Sequence, residues 1–325
     1  MLTEHLPRVP LGFFPTPIHE LPRLSKLLGG PRLLIKRDDQ TGLATGGNKT
    51  RKLEFSVAEA LRQGADTLIT LGAVQSNHCR QTAAAAARYG LRCIIVIRGH
   101  APSLITGNLL LDYLLGAEVV FAGDATREEV AERVVEEQRA AGHHPFFIPL
   151  GASDAVGAVG FVAAMEELAS QIEEQKLRID RIVLGSSSAG TQAGMCVGAK
   201  ALGIPAQIAA IAIDSTQAEL QEEVAQIANA TIARLGIEMT FSPQEVVVFD
   251  GYLGGGYSIM GEPEREAITL LARHEGILLD PVYTGRAMAG LIDLIRKGEF
   301  GSSETILFWH TGGAAALYAY AGQLL

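Results

Sequence analysis

The sequence predicts a two-domain α/β protein in which parallel-type sheets are flanked by helices. Its 325 residues exceed the usual size of one domain, and 48% of them are hydrophobic, which is ample for a buried core. Short apolar runs alternate with helical patterns along the chain. Most runs are continuously apolar, as in strands that helices cover on both faces, so the alternation favours parallel sheets.

Nine short apolar runs are the predicted strands. They cover residues 33–39, 67–73, 92–98, 117–123, 146–151, 181–187, 208–214, 246–250 and 306–312. Helical patterns fill the stretches between them, and several end at a glycine, a common helix stop signal. The chain has no internal repeat and no low-complexity linker, so composition alone marks no domain boundary.

Composition argues against several classes of partner and site. The net charge is −9 and no run of Lys or Arg forms a basic patch, so we expect no nucleic-acid partner. We also expect no signal peptide and no membrane-spanning helix, because long uncharged apolar runs are missing, and hence a cytosolic protein. Cys79, Cys93 and Cys196 form no CxxC pair, which predicts three core residues and no metal site.

In open α/β sheets, ligands bind at the carboxyl ends of strands, so polar turns after strands are candidate sites. The first is TGLATGGNKTRKLE (41–54), a glycine-rich loop that runs into a helix. We expect Asn48 to cap this helix and Lys49 to project from its first turn. The positive helix end and the neighbours Arg51 and Lys52 would lower the pKa of the Lys49 amine, which suits a Schiff-base lysine.

The same loop also approaches a nucleotide-binding P-loop. Gly42, Gly47, Lys49 and Thr50 nearly match G-x-x-x-x-G-K-[ST], but Asn48 separates the second glycine from the lysine. No convincing Walker B aspartate follows an apolar strand. A P-loop NTPase therefore remains an alternative, as does a solvated lysine at a helix start.

Two further turns are candidate anion sites. In GAVQSNHCRQTAAAAA (72–87), Ser76 or Asn77 would cap a helix whose free N–H groups could bind a carboxylate. In LGSSSAGTQAGM (184–195), exposed N–H groups between a strand and a helix could form a phosphate cup. The residues of this cup are Ser187, Ser188, Ala189, Gly190 and Thr191. Each turn alone is also typical of an ordinary helix start.

Three late turns carry tyrosine and threonine side chains. They are GGGYSIMGEP (254–263) with Tyr257, DPVYTGRAMAG (280–290) with Tyr283 and Thr284, and FWHTGGAAAL (308–317) with Thr311. Singly, each is typical of a core tyrosine or a simple turn. Their occurrence together with the three earlier turns indicates a functional site.

Five segments, in order along nearly the whole chain, resemble the family of D-cysteine desulfhydrase and 1-aminocyclopropane-1-carboxylate (ACC) deaminase. They are IKRDDQTGLATGGNKTRKLE, GAVQSNHCRQTAA, SSAGTQAG, LLDPVYTGRAMAGL and HTGG. GGNKTRKLE is highly specific for this family, whereas SSAGTQAG alone is only suggestive. These are fold-type II enzymes, similar to the tryptophan synthase β-subunit. The resemblance implies pyridoxal 5'-phosphate as cofactor, a small amino acid as substrate and a homodimer.

The resemblance also assigns the cofactor site. A smaller α/β domain would be inserted in a larger one, with the cofactor in the cleft between them. The large domain would comprise residues 1–51 and 161–325, and the inserted domain residues 52–160. Lys49 looks like the Schiff-base lysine, and Asn77 like the residue that bonds the phenolic oxygen of the cofactor. Residues 187–191 match the phosphate cup.

Substrate contacts follow from the same resemblance. Ser76 matches the serine that binds the substrate carboxylate, with Gln75 and His78 beside it. Tyr257 and Tyr283 match the active-site tyrosines of the family, where they would act in catalysis.

One departure from the family pattern bears on the substrate. The deaminases carry PVYEG, whose glutamate would pair with the pyridine nitrogen, whereas this chain has Thr284 in PVYTG. With only the hydroxyls of Thr284 and Thr311 as partners, the nitrogen should stay largely neutral. A weaker electron sink suits the elimination of a good leaving group such as thiolate. The resemblance therefore favours a desulfhydrase over a deaminase.

The expected reaction is elimination from D-cysteine to pyruvate, hydrogen sulfide and ammonia, with Lys49 as general base. L-Cysteate sulfo-lyases, which share ATGGNKTRKLEF and release sulfite, are the main alternative. A sulfonate needs a cationic partner, and the substrate turns offer mostly neutral side chains. That argument reverses if Arg80 or Arg286 points into the cleft. An ACC deaminase and a non-catalytic ligand-binding protein are further alternatives.

Overall fold

The computed structural model describes residues 1–324 and contains ten strands in that range. Each of the nine predicted strand segments overlaps one of them, so the alternating α/β pattern is confirmed. The strands are Ile18–Glu20 (β1), Arg32–Arg37 (β2), Thr67–Gly72 (β3), Arg92–Ile97 (β4), Glu118–Phe121 (β5), Pro145–Ile148 (β6), Arg181–Ser186 (β7), Gln207–Ala212 (β8), Val247–Phe249 (β9) and Thr305–His310 (β10).

Twelve α-helices connect and cover these strands in the described part of the chain. They are Pro22–Leu28 (α1), Lys49–Arg62 (α2), Asn77–Tyr89 (α3), Gly107–Leu114 (α4), Arg127–Ala140 (α5), Ala155–Gln175 (α6), Gly190–Leu202 (α7), Gln217–Leu235 (α8), Glu262–Glu275 (α9), Thr284–Arg296 (α10), Ala314–Leu317 (α11) and Ala321–Leu324 (α12). The functional turns predicted from the sequence precede α2, α3, α7, α9, α10 and α11.

The larger sheet has six strands in the order β1-β2-β10-β7-β8-β9. All neighbours are parallel except β1, which pairs antiparallel with β2 at the edge. This edge strand was not predicted, because its three residues, Ile-His-Glu, contain no apolar run and are mostly accessible to solvent. Helices cover both faces of the sheet, which explains the continuously apolar central strands.

The smaller sheet is fully parallel, with the order β5-β4-β3-β6. All four strands fall within the predicted inserted domain, residues 52–160, and we propose this sheet with its helices as that domain. The proposed boundaries lie inside α2 and α6. These two helices cross so closely that a Cβ on Gly160 would lie 2.2 Å from the carbonyl oxygen of Arg51. The contact between these helices therefore connects the two proposed domains.

One apolar segment of the described chain, Leu150–Gln175, has the length and hydropathy of a membrane-spanning helix. Of its most apolar window, 61% is buried inside the protein. It contains α6, which packs against α7 and Trp309 in the core, as expected of a helix in a soluble fold. The three cysteines are likewise free and buried, as predicted.

Candidate active site

A cavity of about 760 Å³ opens where the carboxyl ends of strands from both sheets meet. This volume suits a cofactor together with a small substrate. It is lined by twelve of the fourteen predicted site residues: Lys49, Gln75, Ser76, Asn77, His78, Ser187, Ser188, Ala189, Thr191, Tyr257, Tyr283 and Thr311. The other two, Gly190 and Thr284, do not line it.

Lys49 is the first residue of α2, and its amine lies at the cavity wall. A tight turn places it there: Gly46 has a φ of +74°, and a Cβ on it would lie 2.1 Å from the carbonyl oxygen of Asp39. Desolvation lowers the pKa of Lys49 to about 8, although the charge of Asp280 acts in the opposite direction. An appreciable fraction of the amine is therefore unprotonated near neutral pH, as a nucleophile or base requires.

The predicted direction of the Lys49 pKa shift is confirmed, but burial, and not the predicted influence of Arg51 and Lys52, is its main cause. Arg51 turns away from the cavity and forms a bidentate pair with Asp38, with both N–O distances at 2.8 Å. It also bonds Glu167. Lys52 is also buried, and its burial together with the charge of Lys49 lowers its pKa well below the usual value. Removal from water, not the neighbouring cations, shifts the pKa of Lys49.

Asn48 occupies the N-cap position of α2, but, contrary to the prediction, its side chain does not cap the helix. Its backbone is helical, with φ −61° and ψ −23°, so the side chain is not directed back at the first turn. Instead, Nδ2 donates a hydrogen bond of 3.0 Å to Oγ1 of Thr191. The lysine turn is thereby tied to the turn before α7.

Ser76 caps α3 as predicted, since its Oγ accepts a hydrogen bond of 3.2 Å from the N–H of Cys79. The N-terminus of α3 faces the cavity with Gln75, Asn77 and His78. Burial and the nearby cations hold the pKa of His78 well below its usual range, and its Nε2 lies 2.8 Å from Oγ1 of Thr70. This neutral histidine therefore adds no positive charge to the cavity.

The turn from β7 to α7 has the strained backbone expected of an anion cup. Ala189, at its centre, has a φ of +57°, which is uncommon for a residue other than glycine and typical of functional turns. The N-terminus of α7 follows, so its free N–H groups point to the same side as the turn. Gly190 was predicted to line the cavity, but it packs behind the turn against Ser153.

The buried side chain of Lys52 lies behind this turn, and the sequence analysis did not predict this position. Its Nζ donates to Oγ of Ser153 at 3.0 Å, and that hydroxyl donates to Oγ of Ser188 at 2.7 Å. A Cβ on Gly190 would lie 2.9 Å from Nζ. A buried lysine amine, a strained turn and a helix N-terminus together provide N–H donors that suit a phosphate dianion.

Tyr257 and Tyr283 form a pair at the cavity wall, with their hydroxyl oxygens 2.6 Å apart and their rings edge to face. Burial raises the pKa of Tyr257 to about 12 and also raises that of Tyr283 well above its usual value. Both phenols are therefore neutral at physiological pH. One hydroxyl proton lies between the two oxygens, and the other remains free to be donated elsewhere.

Thr284 does not face the cavity, contrary to the prediction that its hydroxyl could meet a cofactor ring. Its Oγ1 donates to Oδ1 of Asp280 at 2.7 Å and accepts from the N–H of Asp280 at 2.8 Å. The same carboxylate accepts backbone N–H groups at the start of α10. Thr284 is thus part of a helix cap. Thr311 does line the cavity, and its carbonyl oxygen accepts the N–H of Asn48.

Neither of the two arginines considered from the sequence lines the cavity. Arg80 and Arg286 are both buried and bonded to other groups. Arg98 and Arg127 line it instead, together with Asp214. Arg98 follows β4 and Arg127 starts the helix after β5, so both satisfy the rule that ligands meet the carboxyl ends of strands. That rule could have found them in the sequence.

A strained lysine turn, a phosphate-type cup and a cleft between two parallel sheets together define a cofactor-dependent α/β enzyme. The model of the family described as pyridoxal-phosphate dependent enzymes matches residues 9–312. This match covers most of the chain, which therefore belongs to that family of pyridoxal-phosphate-dependent enzymes. The P-loop NTPase and the non-catalytic protein are accordingly set aside.

Relatives of the same kind match over almost the full length. The D-cysteine desulfhydrase of Salmonella newport (strain SL254) is 44% identical over 324 residues, covering 97% of this chain and 96% of the relative. The D-cysteine desulfhydrase of Salmonella typhimurium (strain LT2) is 44% identical over 333 residues, covering 98% and 99%. The chain is thus a D-cysteine desulfhydrase-like enzyme, although this identity leaves the substrate open.

Solved structures agree with this assignment. A crystal structure described as an ACC deaminase homologue superposes with a TM-score of 0.91 at 38% identity, covering 99% of this chain and 97% of that one. A pyridoxal 5'-phosphate-dependent aspartate racemase gives a TM-score of 0.65 at 17% identity, covering 92% and 90%, which shows the shared fold alone.

The residues of the cavity fit pyridoxal phosphate. The Lys49 amine has a lowered pKa and can bond an aldehyde carbon, and the cup before α7 with Lys52 suits a phosphate. The side chain of Asn77 offers a donor at the cavity wall, which Thr311 also lines. Each functional part of the cofactor therefore has a chemically matched partner in this chain.

Proposed function

We propose that this enzyme catalyses β-elimination from D-cysteine, in which D-cysteine and water give pyruvate, hydrogen sulfide and ammonia. The observation that carries the proposal is Lys49, whose amine has a pKa of about 8 at the cavity wall. The similarity to D-cysteine desulfhydrases over 97% of the chain supports the choice of substrate. Pyridoxal phosphate, when bound, supplies a conjugated electron sink for the amino-acid substrate.

Different turns bind the phosphate of the cofactor and the carboxylate of the substrate. The cup at residues 187–191 holds the phosphate with N–H groups, and the phosphate dianion would favour the charged form of the Lys52 amine behind it. The N-terminus of α3, with Ser76, binds the substrate carboxylate, because its N–H groups and the helix dipole favour an anion. Gln75 and His78 shape this pocket on either side of Ser76 and Asn77.

Lys49 and the pair of Tyr257 and Tyr283 accept and donate the protons of the reaction. With cofactor and substrate bound, the free amine of Lys49 would be the base that takes the α-proton. The shared hydrogen bond leaves one phenol proton of Tyr257 and Tyr283 for the departing sulfur, which needs a proton to leave as hydrogen sulfide. Both phenols stay protonated at neutral pH because burial raises the pKa of each.

Thr311 is the proposed partner of the pyridine nitrogen. Thr311 lines the cavity, whereas the hydroxyl of Thr284 is hydrogen-bonded to the carboxylate of Asp280. Asp214 is the one carboxylate among the residues found to line the cavity, and it accepts from Oγ of Ser187 at the phosphate end. A hydroxyl does not hold the ring nitrogen protonated as a carboxylate would. This favours elimination of a thiol over opening of the ACC ring.

L-Cysteate is the second candidate substrate, and Arg98 and Arg127 are the observation in its favour. Both line the cavity and could bind a sulfonate. The charge of Arg127 is partly compensated, because its Nε pairs with Glu128 at 2.9 Å and its guanidinium also acts on the carboxyl group of Asp214. Arg98 is exposed to solvent, where an ion pair is weak. The neutral thiol therefore remains the better match.

The test is a substrate panel in which the purified enzyme receives D-cysteine, L-cysteine, L-cysteate and ACC. Pyruvate, sulfide and sulfite are measured separately, and ACC turnover is read from ammonia and 2-oxobutyrate. The proposal expects the highest kcat/KM for D-cysteine with equal amounts of pyruvate and sulfide. A preference for L-cysteate of tenfold or more, about 1.4 kcal/mol of transition-state binding, would reject the thiol assignment.

We also propose a cytoplasmic homodimer. Three free, buried cysteines suit a reducing compartment. The surface before and along α4 exposes several large apolar side chains: Leu104, Ile105, Leu110, Tyr113 and Leu114. Large exposed apolar patches usually mark contacts between proteins. Light scattering should give twice the mass of the chain, and Leu114→Glu should shift it towards the monomer.

A further inference from the structure

Arg80 lies on α3 outside the cavity, yet it bonds a residue that lines it. Its side chain is completely buried. Nη1 donates a hydrogen bond of 2.8 Å to Oδ1 of Asn77. Nη2 donates one of 2.7 Å to the carbonyl oxygen of Gly46, in the turn that presents Lys49. One guanidinium therefore connects the lysine turn with the amide proposed to meet the cofactor.

Asn108, near the start of α4, completes this arrangement. Its Nδ2 donates to the same Oδ1 of Asn77 at 3.0 Å, and its Oδ1 accepts from Nη1 of Arg80 at 2.6 Å. Its Nδ2 also donates to the carbonyl oxygen of Gln75 at 2.8 Å. Two donors thus hold the amide oxygen of Asn77. The NH2 group of Asn77 must consequently be the end that is available to a ligand in the cavity.

Asp112 is a buried carboxyl group on α4 whose charge acts on that of Arg80. It follows Asn108 by one turn of α4, so both side chains are on the helix face that covers Arg80. It is completely buried, and the described residues provide no hydrogen-bond partner for either carboxylate oxygen or for Nε of Arg80. Burial raises the pKa of Asp112 to about 7, while the charge of Arg80 opposes this rise.

We propose that Arg80 and Asn108 are positioning residues that fix the Asn77 amide with its NH2 group towards the phenolic oxygen of pyridoxal phosphate. This inference rests on the proposed role of Asn77. A charged donor on the amide oxygen polarises the amide and makes its NH2 a stronger donor. Arg80 then acts on the electronic state of the cofactor without touching it.

The experiment compares the holoenzyme with Asn77→Ala, Arg80→Met, Asn108→Ala and the double variant Asn77→Ala/Arg80→Met. The visible absorption band and the dissociation constant of pyridoxal phosphate are measured for each. Arg88→Met is the matched control, because Arg88 is on the same helix but bonds the carbonyl oxygen of Leu11 at 3.0 Å. Thermal unfolding of each apoprotein reports purely structural damage.

We expect Arg80→Met and Asn108→Ala to shift the band in the same direction as Asn77→Ala and to weaken cofactor binding about tenfold. Arg88→Met should do neither. In the Asn77→Ala background, Arg80→Met should add less than about a twofold loss, since its partner is gone. An undiminished effect of Arg80→Met in that background, or an unshifted band in the single variants, would overturn the proposal.

The outcomes separate this inference from the proposed function. If the wild-type protein takes up no pyridoxal phosphate, the proposed function fails first. If the wild type shows the band and Asn77→Ala leaves it unchanged, the positioning role is rejected while the cofactor assignment stands. If Arg80→Met does not fold, Asn108→Ala with its own Asn77→Ala double variant gives the same test, because it removes one of the two donors.

Discussion

The hydroxyl oxygens of Tyr257 and Tyr283 lie 2.6 Å apart at the wall of the cavity, so the two phenols form one proton-sharing unit. Because burial keeps both protonated, the pair presents a single free donor to the substrate. With this arrangement, we expect both tyrosines to be required although only one proton is delivered. It also makes their contributions interdependent, which kinetics can measure.

Replacing either tyrosine by phenylalanine should lower kcat for D-cysteine by about 10²-fold, the lower range for a lost proton donor. The double variant should be little worse than the worse single variant, because the residues act as one unit. Steady-state kinetics of the three variants tests this. If the losses multiply, the phenols act separately and the shared-proton account is wrong.

Cofactor uptake by the apoenzyme should depend on pH through Lys49. Desolvation lowers the pKa of the free amine to about 8, and only the unprotonated amine bonds the aldehyde. The uptake rate should therefore rise with pH, reach half its maximum near that pKa, and level off above it. Stopped-flow absorbance after mixing with pyridoxal phosphate measures this. A rate still rising steeply at about pH 10, as for an ordinary lysine, would contradict the assigned environment.

The two threonines should separate into a structural and a functional residue. Thr284→Val removes a buried partner of Asp280 and should destabilise the protein by about 1–3 kcal/mol with an unchanged visible spectrum. Thr311→Val should alter the spectrum and kcat with a smaller effect on stability. Thermal unfolding and absorbance of both holoenzymes provide the comparison. The reverse pattern would show that Thr284, not Thr311, meets the ring nitrogen.

Arg127 should influence anionic substrates selectively. Arg127→Gln should reduce kcat/KM for L-cysteate by about tenfold and change the value for D-cysteine less than about threefold, because only the sulfonate carries a second charge. Arg133→Gln, at an exposed position on the same helix, is the control. Equal losses for both substrates would instead place Arg127 at the common carboxylate.

Patterns that depend on burial were predictable from the sequence. Continuously apolar runs located nine strands, since a strand covered on both faces has no polar side. The edge strand β1 was not predicted, because its pairing with β2 and not its own composition makes it a strand. Turns after strands gave most cavity-lining residues, because a parallel sheet brings its carboxyl ends to one edge.

Features that depend on partners distant in sequence were not predictable. Asn48 was expected to cap its own helix, but Thr191 takes its side chain. The pKa of Lys49 shifts in the predicted direction through desolvation, which no local pattern reveals. The positions of Asn108 and Asp112 near Arg80 depend on the packing of α4 over Arg80, which no local sequence pattern indicates.

The covalent attachment of the cofactor to Lys49 is the central claim, and borohydride reduction of the holoenzyme followed by peptide mapping tests it most directly. The reduced label should be found on Lys49, and Lys49→Ala should show neither the label nor turnover. Lys36 and Lys52 are the internal comparisons: both are buried, but Lys36 is paired with Glu167 and Lys52 with Ser153. A label on either of these lysines in the wild-type enzyme would contradict the account.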